Sequence, residues 1–158
     1  MKPLDDRIHI PLTILLADDD RDDRYFFDRA LKTLPIRTQL VTVENGENLM
    51  DYLVKNSNQL PDILFLDLNM PRKNGSECLI EIKSNDKLKQ LPVIIYSTSL
   101  HENVADVLYK NGAHYYIRKS NLPELKKILH HVLKLMTEKK FGRPPIDKFI
   151  FSPVEING

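Results

Sequence analysis

Five short apolar runs alternate with five longer amphipathic stretches, and this alternation limits what the chain can fold into more than any other feature. The runs cover residues 12–17, 39–43, 63–66, 93–96 and 115–117. Helical patterns cover roughly 21–34, 46–55, 76–84, 102–111 and 122–136. In the last, Leu122, Leu125, Ile128, Leu129, Val132, Leu133 and Met136 form one stripe at three- and four-residue spacing. Asn121 stands as its N-cap, with Pro123 in the first turn and Glu124 three residues past the cap. Strict strand–helix alternation predicts a parallel sheet with helices on both faces, a doubly wound α/β fold. Strands one, three and four are apolar throughout, as strands covered on both sides must be. The second strand region, with Arg37, Thr38 and Gln39, is more polar and suits an edge.

The 158 residues suffice for one domain with a sizeable core. A net charge of +1 argues against an electrostatic partner such as DNA or an anionic membrane. Cys78 is the only cysteine, so there is no internal disulfide, in keeping with a reducing compartment. No apolar run approaches the ~18 residues of a membrane span. Residues 8–17 resemble a signal-peptide core only superficially. Asp5 and Asp6 stand where a positive region belongs, and Asp18, Asp19 and Asp20 where a small-residue cleavage site belongs. A cytoplasmic protein is expected. After Met136 comes Lys/Glu-rich sequence, then the helix-breaking stretch from Phe141 to Pro145. The expected organisation is a unit over 10–137 and a tail over 138–158, in which Lys148, Phe149, Ile150 and Phe151 read as an extra strand.

Ligands of open parallel sheets bind at the carboxyl ends of the strands, so the residues just after each run matter most. Asp18, Asp19 and Asp20 follow strand one. Asp67 follows strand three, with Asn69 two residues on. Ser97, Thr98 and Ser99 follow strand four, and Lys119 follows strand five. Carboxylates at about 4 Å repel by ~4 kcal/mol per pair at an effective dielectric of about 20, and need neutralising. Such oxygens are hard ligands suited to Mg²⁺. A cation, a lysine and a hydroxyl around one carboxylate are what a transferring phosphoryl group needs, with Asp67 as the nucleophile. Asp20, directly before a helix, reads as an N-cap. Asp22 and Asp23, in its first turn, read as structural acids facing the helix dipole. His130 and His131 are adjacent on a helix and point about 100° apart, which disfavours a ligand pair.

Four stretches, ILLADDD, DILFLDLNMPRKNG, LPVIIYSTS and GAHYYIRKS, resemble the receiver domain of bacterial response regulators over about residues 12–136. The resemblance implies a flavodoxin-like five-stranded sheet of order 2-1-3-4-5. It implies phosphorylation of Asp67 by a sensor histidine kinase or phosphotransfer protein, with autodephosphorylation by the same site. It makes Asp18, Asp19, Asp67 and Asn69 the Mg²⁺ site, Asn69 through its backbone carbonyl. It makes Lys119 the phosphate-pairing lysine, Ser97 the switch hydroxyl and Tyr116 the switch aromatic, which would enter space that Ser97 vacates. Two positions depart from the family pattern: Ser120 replaces the usual proline, and Thr98 the usual alanine or glycine. The tail is too short for a helix-turn-helix domain. The expected output is therefore contact with a downstream protein, or homodimerisation through helix 4, strand 5 and helix 5, without DNA or membrane. A phosphorylation-independent degenerate receiver acting as a binding module is the alternative. An aspartate-nucleophile phosphohydrolase would need an acid where Asn69 stands, and a flavin module would meet a repelling acidic loop after strand one.

Overall fold

The structure, a computed structural model, describes residues 10–99 and 101–151. Asp5, Asp6 and the last seven residues of the expected tail lie outside the described residues. Strands β1 (Leu12–Ala17), β2 (Thr38–Val43), β3 (Ile63–Leu66), β4 (Val93–Ser97) and β5 (Tyr115–Arg118) alternate with helices α1 (Arg21–Lys32), α2 (Gly46–Lys55), α3 (Gly75–Ser84), α4 (Glu102–Lys110) and α5 (Leu122–Thr137). The sheet is parallel, in the order β2-β1-β3-β4-β5. The expected order holds, with β2 at an edge.

Period-two alternation sorts each strand between two cores. Leu15, Leu64, Leu66, Val93, Ile95 and Tyr116 face α2, α3 and α4, against Leu49, Leu53, Leu79 and Leu108. Ile14, Leu16, Ile63, Phe65, Ile94 and Ile117 face α1 and α5, against Phe27, Leu31, Leu129 and Val132. Each fully buried Leu, Ile or Phe contributes ~1.5–3 kcal/mol, so both layers are needed for stability.

Helix starts follow their caps. Asp20 accepts the backbone N–H groups of Asp22 and Asp23, as expected of it, and Asn121 accepts that of Glu124. Asn74 and Glu77 form a reciprocal capping box at the start of α3. Three strands extend one residue beyond their apolar runs, because Thr38, Ser97 and Arg118 still pair in the ladder despite their polarity. The first helix ends two residues earlier than expected. There the Thr33 hydroxyl donates to Ala30 O at 2.8 Å and competes with continuation of the helix.

The extra strand expected over 148–151 is realised as one parallel bridge, between Tyr116 and Ile150, preceded by a 3₁₀ turn over Ile146–Lys148. Tyr116 N–H donates to Phe149 O at 3.0 Å, and Phe151 N–H to Tyr116 O at 2.9 Å. Phe149 is buried against Tyr109 of α4 and Tyr116 of β5. Phe151 packs on Tyr115 and on His131 of α5. Arg143 lies 3.8 Å over the Tyr109 ring and donates to Ala113 O. The tail thus covers the open edge of β5, which an exposed strand would otherwise present for pairing.

Candidate functional site

Register alone brings the two key carboxylates together. Ala17 lies opposite Leu66 in the ladder between β1 and β3, so Asp18 and Asp67, one residue on, lie side by side. Both are still held by the ladder, with Asp67 N–H donating to Ala17 O at 2.9 Å and Asp18 N–H to Val43 O at 3.1 Å. Lys119 N–H donates to Ser97 O at 2.7 Å, which places the lysine at the same edge of the sheet.

The turn after β3 folds back tightly. Gly75 N–H donates to Leu68 O at 3.0 Å, and a Cβ on Gly75 would fall 2.2 Å from the Asp67 carbonyl oxygen. Only glycine permits that approach, so the start of α3 is pressed against the backbone of Asp67. Asn69 N–H donates to Asp67 Oδ1 at 3.3 Å, and its side chain is exposed.

Asp18, Asp19 and Asp67 each offer one carboxylate oxygen, and these lie within 4.8 Å of one another. Asp18 and Asp67 are buried; Asp19 is exposed. Three hard oxygen donors, one open to water, fit a divalent cation that keeps part of its hydration shell. Among the described residues this is the group of acids able to hold a metal, and neither His130 nor His131 belongs to it.

The Lys119 ammonium serves three acids. It lies 2.7 Å from Asp18 Oδ2, 2.9 Å from Asp23 Oδ2 and 3.4 Å from Asp67 Oδ2. Burial alone would lower its pKa, but the Asp18 and Asp23 carboxylates more than offset that and raise it above the ordinary lysine value. Its charge also lies 5.2 Å over the Tyr96 ring. Burial raises the pKa of Asp18, against the opposing pull of Lys119. Burial pushes Asp67 up to about 6, with Lys119 lowering it and the Asp18 charge raising it.

Ser97 is fully buried at the end of β4, and its hydroxyl has no hydrogen-bond partner. Such groups are uncommon in native interiors and often mark a working site. Tyr116 is buried, with its hydroxyl donating to the Ser99 carbonyl and Phe149 packed against its ring. The ring is already inside the molecule here, rather than waiting outside for space to open. Thr98 and Ser120 are both exposed.

Two residues of the cluster escaped sequence reasoning. Asp23, read as a structural first-turn acid, instead contacts Lys119 directly. Arg24 donates from Nη1 to Asp18 O at 2.9 Å and from Nη2 to Glu44 Oε1 at 3.1 Å, joining the loops after β1 and β2. Their spacing past the acidic triplet was visible, but a first-turn acid and an amphipathic arginine have ordinary explanations that need no site.

A five-stranded parallel sheet of this order, with an acidic pair after β1, a buried acid after β3 and a lysine after β5, is the architecture of a signalling receiver. The chain belongs to the response regulator receiver domain family, whose model matches residues 14–130. It is 33% identical over 134 residues to response regulator Rcp1 of Synechocystis sp., covering 82% of this chain and 91% of that protein. The solved Mn²⁺-bound form of Rcp1 superposes with a TM-score of 0.73, covering 85% of this chain and all of that one, at 33% identity. The phosphorylated cyanobacterial phytochrome response regulator RcpA gives 0.74 at the same identity, covering 86% of this chain and all of that one. No helix among the described residues is long and apolar enough to cross a membrane.

Proposed function

We propose that residues 10–137 accept a phosphoryl group on Asp67 from the phosphohistidine of a sensor histidine kinase or phosphotransfer protein, in the cytoplasm. An Asp67 carboxylate oxygen attacks phosphorus, the P–N bond breaks, and the imidazole leaves with the bonding pair and takes a proton from solvent. Mg²⁺, held by Asp18, Asp19, Asp67 and the Asn69 carbonyl, would supply charge compensation to the phosphoryl oxygens. Lys119 pairs with one of those oxygens, and the Ser97 hydroxyl donates to another. Water later hydrolyses the acyl phosphate in the same site.

The observation that carries this reading is the buried, unpartnered Ser97 hydroxyl on the strand next to buried Asp67. An acceptor oxygen added at Asp67 gives that hydroxyl the partner it lacks. The Mn²⁺ bound by Rcp1 and the phosphorylated state of RcpA support the same chemistry. Output follows through α4, β5 and α5, where Tyr116 lies between Ser97 and the tail. A downstream protein or a second copy of the chain would dock there, with residues 138–151 forming part of the surface it meets.

The test is intact-protein mass after incubation with acetyl phosphate and Mg²⁺, beside Asp67→Asn. One added phosphoryl group in the wild type alone is expected. No added mass in the wild type, with cation binding intact and no response to beryllium fluoride, would favour the phosphorylation-independent binding module.

A further inference from the structure

Lys119 contacts three carboxylates, but only two of them belong to the cation group. Asp18 and Asp67 offer oxygens to a metal; Asp23 does not. A cation and the ammonium therefore compete for the same two acids. With its side chain 9% exposed, Lys119 cannot simply turn to water when a cation takes them. A buried charge left without a partner is strongly disfavoured. Asp23 is the partner that remains. Its N–H is held at 3.1 Å by the capping carboxylate of Asp20, which fixes its place in the first turn of α1. From there its Oδ2 accepts a hydrogen bond from Nζ at 2.9 Å. An ammonium has three protons, so it can keep this bond while releasing the other two acids.

We propose that Asp23 is a positioning residue that tethers the Lys119 ammonium on the α1 side of the site, so that Asp18 and Asp67 can be given up to a divalent cation. The inference rests on reading the acidic cluster as the cation and phosphoryl site. Without Asp23, Lys119 falls back on Asp18 and Asp67 and becomes an internal competitor of the metal. Asp23 then acts on cation affinity through Lys119, not as one more negative charge nearby.

The test is a double-mutant cycle read by Mn²⁺ binding, with free ion followed by electron paramagnetic resonance. Asp23→Asn should weaken Mn²⁺ binding about ten-fold, and Asp23→Glu should restore most of it. In a Lys119→Met background, Asp23→Asn should change affinity less than two-fold. An equal loss in both backgrounds would overturn the tether and leave Asp23 as a general charge. A second readout needs no metal: trinitrobenzenesulfonate labelling of Lys119, mapped by peptide mass. In the metal-free Asp18→Asn/Asp67→Asn background, where both other acids are given up, Asp23→Asn should raise that labelling several-fold, and unchanged labelling would also overturn the tether. Wild-type protein that ignores Mn²⁺ would refute the cation reading instead, while the labelling result would still decide the tether.

Discussion

Asp67 is a carboxylate whose burial favours its protonated form, with a pKa pushed up to about 6 from 3.8. A raised carboxylate pKa makes the folded state bind more protons than the unfolded chain between those values. Stability from this source is therefore full below about pH 3.8 and is lost as pH rises through about 6. At ~1.4 kcal/mol per pH unit, the effect amounts to ~3 kcal/mol. His114 works in the opposite direction over nearly the same window. Its pKa is lowered to about 4 by burial, helped by Lys83 and Arg143, so its contribution is present above 6.5 and lost as pH falls. The two offset each other in the wild type, and the difference between wild type and Asp67→Asn isolates the carboxylate. In urea denaturation without divalent cations, Asp67→Asn should gain ~3 kcal/mol on the wild type between pH 4 and 7. A difference that stays flat across that range would mean that Asp67 is not dehydrated. Asp23 teaches another lesson at this scale. Its helix-dipole explanation was sufficient in the sequence, and nothing local told that a lysine 96 residues away would meet it.

At the scale of elements, strands and helices were legible because a buried parallel strand is apolar on both faces and a helix start carries its cap. The apolar runs at β1 and β3 match the observed bounds, while β2, β4 and β5 outran theirs by one polar residue each. The tail was legible only as a composition. One bridge has no period to read, and its docking depends on rings contributed by three other elements. Phe149 is its anchor, buried between Tyr109 and Tyr116. Phe149→Ala should loosen the tail without unfolding the sheet, because Phe149 joins the first core only through Tyr109 and Tyr116, while the strand ladders and the second core keep their own contacts. By hydrogen exchange, the amides of Tyr116 and Phe151 should exchange at least about ten-fold faster, with those of Leu15 and Phe65 unchanged. Uniform acceleration would show instead that the tail and the sheet unfold as one unit.

For the molecule as a whole, the order 2-1-3-4-5 followed from alternation and resemblance together. Alternation gives a parallel sheet but not which strands are neighbours. The acidic cluster makes the native state costly in charge, so a cation that binds only the folded site should stabilise all of it. At a hundred-fold excess over its Kd, Mg²⁺ should add ~2.7 kcal/mol. For a chain of this length that raises Tm by about 5–10 °C. An unchanged melt, with Asp19→Asn also indifferent to Mg²⁺, would rule out a metal at the cluster. The pairing of Lys119 with Asp23 across 96 residues has a further consequence, in the time of synthesis. A nascent chain exposes its acids early and receives their ammonium only when the fifth strand emerges and docks. Until then the acids after β1 and β3 repel one another without their counter-charge. On the proposed function, a phosphoryl group on Asp67 would then report that the fifth strand has docked.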